Sequence, residues 1–180
     1  MLRLLPPELR EQVICDVNVE NADSLTRLFA QARPDVVINC IGLVKQLAEV
    51  DDFLGVIAIN ALLPHRLARL CDLAGAHLIH ISTDCVFSGS VGMYHEQDVS
   101  DAKDLYGRSK YLGEVGYPHA VTLRTSIIGH ELSNPHSLVG WFLAQQGPVK
   151  GFSRAIFSGL TTVELARVMR DFVVPNPELR

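Results

Sequence analysis

No glycine precedes Gly42, although the chain of 180 residues holds thirteen. A dinucleotide-binding sheet opens with a strand and a Gly-rich turn whose backbone N–H groups receive a pyrophosphate at a helix N-terminus. Neither Gly89-x-x-Gly92 nor Gly113-x-x-Gly116 supplies that turn, since neither has a third glycine or a preceding strand. Positive charge is also short: 16 Lys+Arg against 20 Asp+Glu leave a formal charge of −4, with no basic cluster to meet a phosphate backbone. No nucleic acid partner is expected. The longest apolar runs, such as Val36 to Leu43, fall far short of the ~20 residues a bilayer demands, and the Arg/Glu-rich start lacks a signal-peptide core. The expectation is a cytoplasmic protein with no membrane partner.

The four cysteines, Cys15, Cys40, Cys71 and Cys85, form no Cys-x-x-Cys pair, and three lie in apolar or strand-like stretches. They read as reduced, unpaired thiols. The seven histidines are scattered, and His77 and His80, three apart in a strand, point to opposite faces. No metal site is expected.

What is present is the balance of one globular domain, 48% hydrophobic and 20% charged. Gln12 to Val17 reads as a short strand and Asn21 to Arg33 as a helix, capped by Asn21 or Asp23 and stopped by Pro34. The stretch Asp35 to Gly42 is almost continuously apolar and β-branched, as a parallel strand buried on both faces is. Helical spacing from about Asp51 to Leu73 ends near Gly75, followed by a strand over His77 to Thr83. A polar loop leads to a helix around Tyr106 to Val115 and a strand over Ala120 to Ile128. Helices near Ser137 to Gln145 and Thr161 to Phe172 close the chain.

Alternating strands and helices build βαβ units, so the fold expected is α/β, a Rossmann-like doubly wound parallel sheet with helices on both faces, lacking the first βαβ unit. Ligands of such sheets bind beyond the carboxyl ends of the strands, which directs attention to 40–44, 82–85 and 125–129.

Tyr106-Gly-Arg-Ser-Lys110 places a phenol and an ammonium four apart on one helix face. The cation can stabilise phenolate and draw the tyrosine down from about 10 toward neutrality. Any i,i+4 pair on a solvated helix gives that spacing. The context adds weight: the strand His77 to Thr83 ends in two hydroxyls 23 residues before the tyrosine, with Asn60 on the helix ahead of that strand. Ser82 and Thr83 also suit a strand end that caps itself, and Asn60 a buried amide satisfying backbone.

Together these residues resemble the extended short-chain dehydrogenase/reductases. Pro34-Asp-Val-Val-Ile-Asn39, Ile81-Ser-Thr-Asp-Cys-Val-Phe87, Tyr106-Gly-Arg-Ser-Lys110, Leu123-Arg-Thr-Ser126 and Phe157-Ser-Gly159 before Glu164-Leu-Ala166 narrow the resemblance to the dTDP-4-dehydrorhamnose reductase group. The resemblance covers roughly Cys15 to Ala166. It implies reduction of a nucleotide-linked 4-keto-6-deoxysugar with NADP(H) or NAD(H) as cofactor. Tyr106 would protonate the ketone oxygen, Lys110 would tune it and hold the nicotinamide ribose, and Thr83 would hydrogen-bond the substrate with Asp84 beside it. Asn60 matches an asparagine associated with a water relay to the lysine. Asp16 and Val17 would meet the adenine, while Cys40, Ile41, Gly42, Leu43, Val44 and Ile81 would lie along the cofactor.

By the same resemblance the chain looks shortened at both ends: a single partial NAD(P)-binding domain over 1–180, in which about 130–180 contribute to an incomplete substrate-binding lobe. Losing a first βαβ unit would expose an apolar sheet edge, so instability or association into a homo-oligomer is expected. Cys85 stands where the family's dehydratases carry Glu, which argues against dehydration. Thr83 and Cys85 resemble the hydroxyl and thiol of epimerase/reductases, for which His130 or His136 would have to supply the partner. A non-catalytic binding role is the third reading, because the regulatory β subunit of methionine adenosyltransferase resembles the same group.

Overall fold

The computed structural model describes residues 12–44, 52–130, 138–157 and 159–179. Its centre is a three-stranded parallel sheet, β1 (Val36–Asn39), β2 (His77–Thr83) and β3 (Ala120–Thr125), in the order β1-β2-β3. Register is continuous, with Val36 opposite His77 and Asn39 opposite His80 on one side of β2. Leu78 lies opposite Ala120 and Thr83 opposite Thr125 on the other. Such a ladder needs a helical crossover between successive strands.

Helix α1 (Ala22–Ala32) begins because the Asn21 side chain accepts from Ser24 N. It ends at Arg33 in the left-handed region. Helix α2 (Phe53–Ala74) is continuous, with a π-helical stretch over Ile57–Leu62. Asp52 caps its start by accepting from Gly55 N, and Gly75 at φ 69° ends it, a conformation glycine adopts without strain. By length and composition α2 is apolar enough to cross a membrane, a feature that shorter apolar runs do not reveal. Here it serves as a core helix: Leu63, Leu67, Ala68 and Cys71 pack with Leu25 and Phe29 of α1 and with Leu78 and Ala120 of the sheet.

Helix α3 (Leu105–Leu112) follows a long loop, its first turn capped by Asp104 accepting from Gly107 N. A short helix α4 (Leu138–Leu143) buries no residue. The other face of the sheet, Ile79 and Val121, is covered by Val168, Met169 and Val173 of the last helix, α5 (Thr162–Val168), which continues as a π turn over Met169–Val173. Helices therefore lie on both faces of a parallel sheet, as expected of an α/β Rossmann-like fold.

Three expected strands come out differently. The run 35–42, expected to be buried on both faces, forms only β1 (Val36–Asn39) at the sheet's edge among the described residues, where one side has no neighbouring strand to cover it and Ile38 is exposed. Gln12 to Val17 forms no ladder among the described residues, and Asp16 sits at φ 60°, a left-handed conformation that interrupts an extended run. The run Ala120 to Ile128 breaks at Ser126. β3 stops at Thr125, and β4 (Ile127–Ile128) pairs instead with β5 (Leu160–Thr161) in a separate two-stranded sheet. Close approach enforces that switch: a Cβ on Gly159 would overlap the Ser126 carbonyl. The outer edge of β1 pairs with no strand among the described residues, and Ile38, Ile41 and Val44 near it are exposed.

The four cysteines are free, as expected. Only Cys71 is buried, whereas Cys15 and Cys40 are exposed rather than packed as small hydrophobes. No group of three or more His, Cys, Asp or Glu side chains able to hold a metal is found among the described residues. Ser137, His136 and Ser158 lie outside the described residues.

Candidate active site

Parallel strands direct their carboxyl ends to one edge, and there β1 delivers Asn39 and the segment 40–44 while β2 delivers Thr83. Thr83 is buried, and its hydroxyl accepts from Cys85 N at 3.1 Å, capping the 3-10 turn Asp84–Val86. The same hydroxyl donates to Asp84 Oδ1 at 3.3 Å, leaving Asp84 itself exposed. The self-capping strand end is therefore formed, and it fixes the orientation of the threonine oxygen.

Helix α3 is docked onto this edge at two glycines. A Cβ on Gly107 would overlap the Cys85 carbonyl and lie 2.6 Å from Ala102 Cβ. A Cβ on Gly113 would overlap the Asn60 carbonyl and lie 3.2 Å from Pro64 Cγ. The helix backbone can approach both the turn after Thr83 and helix α2 only because these positions lack side chains. Tyr106, half-buried, thus sits in the first turn of a helix pressed against the Asp84–Val86 turn.

Lys110, one turn further on, is buried, and its Nζ donates to the Ile81 carbonyl at 2.8 Å. Desolvation lowers its pKa to about 8, opposed by the negative charge of Glu114 and by the Cys40 thiol. Partial enclosure pushes the Cys40 thiol up, while the Lys110 ammonium pulls it down. The Cβ absent from Gly42 would stand 3.5 Å from Asn60 Oδ1 and 3.6 Å from Lys110 Nζ, so these three residues converge around a small space.

Asn60, fully buried in the π-helical stretch of α2, accepts from Leu43 N at 2.9 Å and donates to Leu43 O at 3.0 Å. Its Nδ2 also lies 3.2 Å from Ser109 Oγ, which in turn donates to the Tyr106 carbonyl at 2.9 Å. The amide thereby clamps the segment after β1 to helix α3. It satisfies backbone, one of the two uses its sequence context suggested. Its pairing with Ser109 had no signal in sequence, because 49 residues separate them.

Behind this cluster, His80 is fully buried with Nδ1 accepting from Asn39 Nδ2 at 3.1 Å. Burial, with the charges of Lys110 and His65, lowers its pKa to about 3, so the ring stays neutral. Asn39 Oδ1 accepts from Ile41 N at 3.1 Å and so shapes the start of the 40–44 segment.

The structure brings Gly42, Leu43, Asn60, Ile81 and Lys110 together, with Cys40 close enough to feel the lysine charge. Ile41 and Val44 lie on the rim, exposed. Asp16 is exposed and Val17 half-buried in the irregular segment before α1, and no hydrogen bond joins either to this cluster among the described residues. A second cluster, missed in sequence, surrounds Glu114 and Arg124: Arg124 donates through Nε and a terminal nitrogen to the two Glu114 oxygens at 2.8 and 2.7 Å.

A parallel sheet covered on both faces, with a tyrosine and a buried lysine one turn apart on a helix at its carboxyl edge, is a Rossmann-like α/β arrangement. The family model for the RmlD substrate binding domain matches residues 4–147, and the chain belongs to that family. It is 38% identical over 101 residues to the dTDP-4-dehydrorhamnose reductase of Mycobacterium tuberculosis, a match covering 51% of this chain and 33% of that protein. Among solved structures, a dTDP-4-dehydrorhamnose reductase from Clostridium acetobutylicum superposes with a TM-score of 0.78 at 25% identity, over 92% of this chain and 60% of that one. A dTDP-4-dehydrorhamnose reductase from Bacillus anthracis in complex with NADP superposes at 0.59 with 28% identity, over 66% and 44%. The chain spans about a third of the length of the curated Mycobacterium relative.

Proposed function

We propose that this chain carries the acid/base and nicotinamide-side half of an NAD(P)H-dependent reductase acting on a nucleotide-linked 4-keto-6-deoxysugar. The observation that carries the reading is the docking of helix α3: Gly107 lets the Tyr106–Lys110 turn press against the turn that follows Thr83, Gly113 lets the helix close on α2, and Lys110 is buried behind.

The residues present suit one end of a nicotinamide dinucleotide. Gly42 leaves open the space beside Asn60 Oδ1 and Lys110 Nζ, and the ammonium has donors beyond the one spent on Ile81. Lys110 and the 40–44 segment would hold the nicotinamide riboside there. A Gly-rich pyrophosphate turn is not among these 180 residues. When bound, the cofactor supplies hydride.

The chain's own residues then divide the remaining work. Thr83, its oxygen held by Cys85 N, would turn its one proton from Asp84 to the ketone oxygen when substrate binds, and Asp84, so released, lies exposed beside it for the sugar. Tyr106 would deliver the proton to the oxygen as negative charge develops there, a general-acid contribution of about 10²–10⁴ in rate. Lys110, held on the Ile81 carbonyl, would stabilise the phenolate left on Tyr106.

A second reading, a non-catalytic module, is favoured by the exposed apolar residues near β1. Titration of the purified chain with NADPH and with NADH, following nicotinamide fluorescence and the melting midpoint, separates the two, because a ligand of the folded state raises the midpoint. The reductase reading requires saturable binding that is weakened in Lys110→Met. A folded chain that responds to neither nucleotide supports the module.

A further inference from the structure

Glu114 follows helix α3 directly, beyond Gly113, and its carboxylate is almost enclosed, with 12% of the side chain exposed. Three donors converge on it. Ser82, next to Thr83 on β2, donates from Oγ to Oε1 at 2.9 Å, and Arg124 on β3 grips both oxygens in a two-pronged pair. Arg124 also donates to the Glu96 carbonyl at 3.0 Å and lies over the Phe87 ring at 5.1 Å. Phe87 in turn stacks on Tyr94 at 4.3 Å. One ion pair thus joins two strands, the exit of the Tyr106–Lys110 helix and the loop that follows Thr83.

We propose that Glu114 and Arg124 are a positioning pair: Arg124 fixes the Glu114 carboxylate, and that carboxylate holds the Lys110 end of helix α3 and its ammonium against the carboxyl edge of the sheet. As a role in catalysis this rests on the reductase reading above. Neither residue need touch the reacting atoms. A partly buried two-pronged pair is strong in geometry and costly to desolvate, so its stability value is small beside its value in fixing position.

The pair acts on Lys110 through charge as well as through packing. The groups facing that ammonium are Cys40 from the segment after β1, His80 from β2 and Glu114 from beyond the helix, with the neutral Asn60 on α2; Tyr106 lies one turn earlier on the same helix. His80 stays neutral throughout the range in which the lysine titrates. Glu114 is the largest influence opposing desolvation, so removing its charge makes the protonated lysine harder to keep.

The test is the titration of Lys110 in the whole chain carrying 13C-labelled lysine, the signal assigned with Lys110→Arg. In Glu114→Gln the midpoint falls by half a unit or more, about threefold in the protonation equilibrium. A helix merely loosened would expose the ammonium to water and send the midpoint up toward the ordinary lysine range. An unchanged or rising midpoint overturns the proposal. Because Glu114→Gln leaves Arg124 charged and unpaired, the double variant Glu114→Gln, Arg124→Met is measured beside it, since replacing both partners of a buried pair is often neutral for stability. A smaller fall is expected there, because the Arg124 charge leaves with the carboxylate, and a rise overturns the proposal equally. In the reductase assay Glu114→Gln should lower kcat with KM for the sugar nucleotide unchanged. A wild-type chain without activity removes the reductase reading, while the titration still decides whether Glu114 holds Lys110.

Discussion

Gly113 meets the Asn60 carbonyl where helix α3 crosses α2, so closely that a Cβ would overlap the oxygen and stand 3.1 Å from the carbonyl carbon. The same asparagine uses its side chain to hold Leu43 and to reach Ser109. One residue of α2 therefore sets the distance of the tyrosine helix through its backbone and the path of the 40–44 segment through its amide.

Gly113→Ala must push α3 away from α2, because the neighbour is backbone and not the end of a flexible side chain. Overpacking of this kind costs about 1–3 kcal/mol. A urea midpoint lowered without a change in slope is the expected result, and the displaced Tyr106 should lower any reductase rate beyond the loss in stability. Unaltered stability would show that the contact relaxes freely.

The two strongly shifted bases give stability a defined pH dependence. Lys110 titrates near 8 in the fold against an ordinary 10.5, so the unfolded chain binds more protons between those values. Stability from this group is fully present above the ordinary value and is lost as pH falls through about 8. His80, near 3 in the fold against 6.5, gives stability present above 6.5 and lost as pH falls toward 3. Unfolding free energy should rise from pH 8 to about 9, above which the Cys71 thiol, pushed up to about 11 by burial, opposes the rise, and it should fall below 6.5, each change about 1–3 kcal/mol. Lys110→Met should flatten the alkaline rise and leave the acid fall intact, which denaturant curves across pH will show.

The outer edge of β1 meets no strand among the described residues, and an edge with apolar neighbours invites pairing between chains. Ile38 on β1 is 44% exposed, and Ile41 and Val44 extend the apolar surface. Sedimentation velocity should show association that grows with concentration, and Ile38→Lys should shift the population toward monomer with little loss of stability. Identical sedimentation of the two proteins would place any association elsewhere.

Much of this organisation was legible from residue order. The cap at Asn21 and the stop at Gly75 specify α1 and the end of α2 by local chemistry, while the β-branched run 35–42 marks where β1 lies but not that it is short and at the sheet's edge among the described residues. Tyr106 and Lys110 share one helix because the spacing belongs to a single element. What local pattern could not carry was pairing. Gln12 to Val17 has strand-like residues, yet a strand exists only with a partner to bond, and none is present among the described residues. Ala120 to Ile128 is uniformly strand-like, but Gly159 approaching Ser126 turns its end into a second sheet. Glu114 and Arg124 lay unremarked as a pair because they come from different elements and meet only once the strands are in register.

The most direct test of the account follows deuteride from C4-deuterated NADPH or NADH onto a dTDP-linked 4-keto-6-deoxysugar, comparing the wild-type chain with Tyr106→Phe. The account predicts label at C4 of the sugar with the wild-type chain, and with Tyr106→Phe a kcat lower by about 100-fold or more while sugar-nucleotide affinity is retained. Equal transfer by the two proteins, or no label from a folded wild-type chain that binds both ligands, would contradict it.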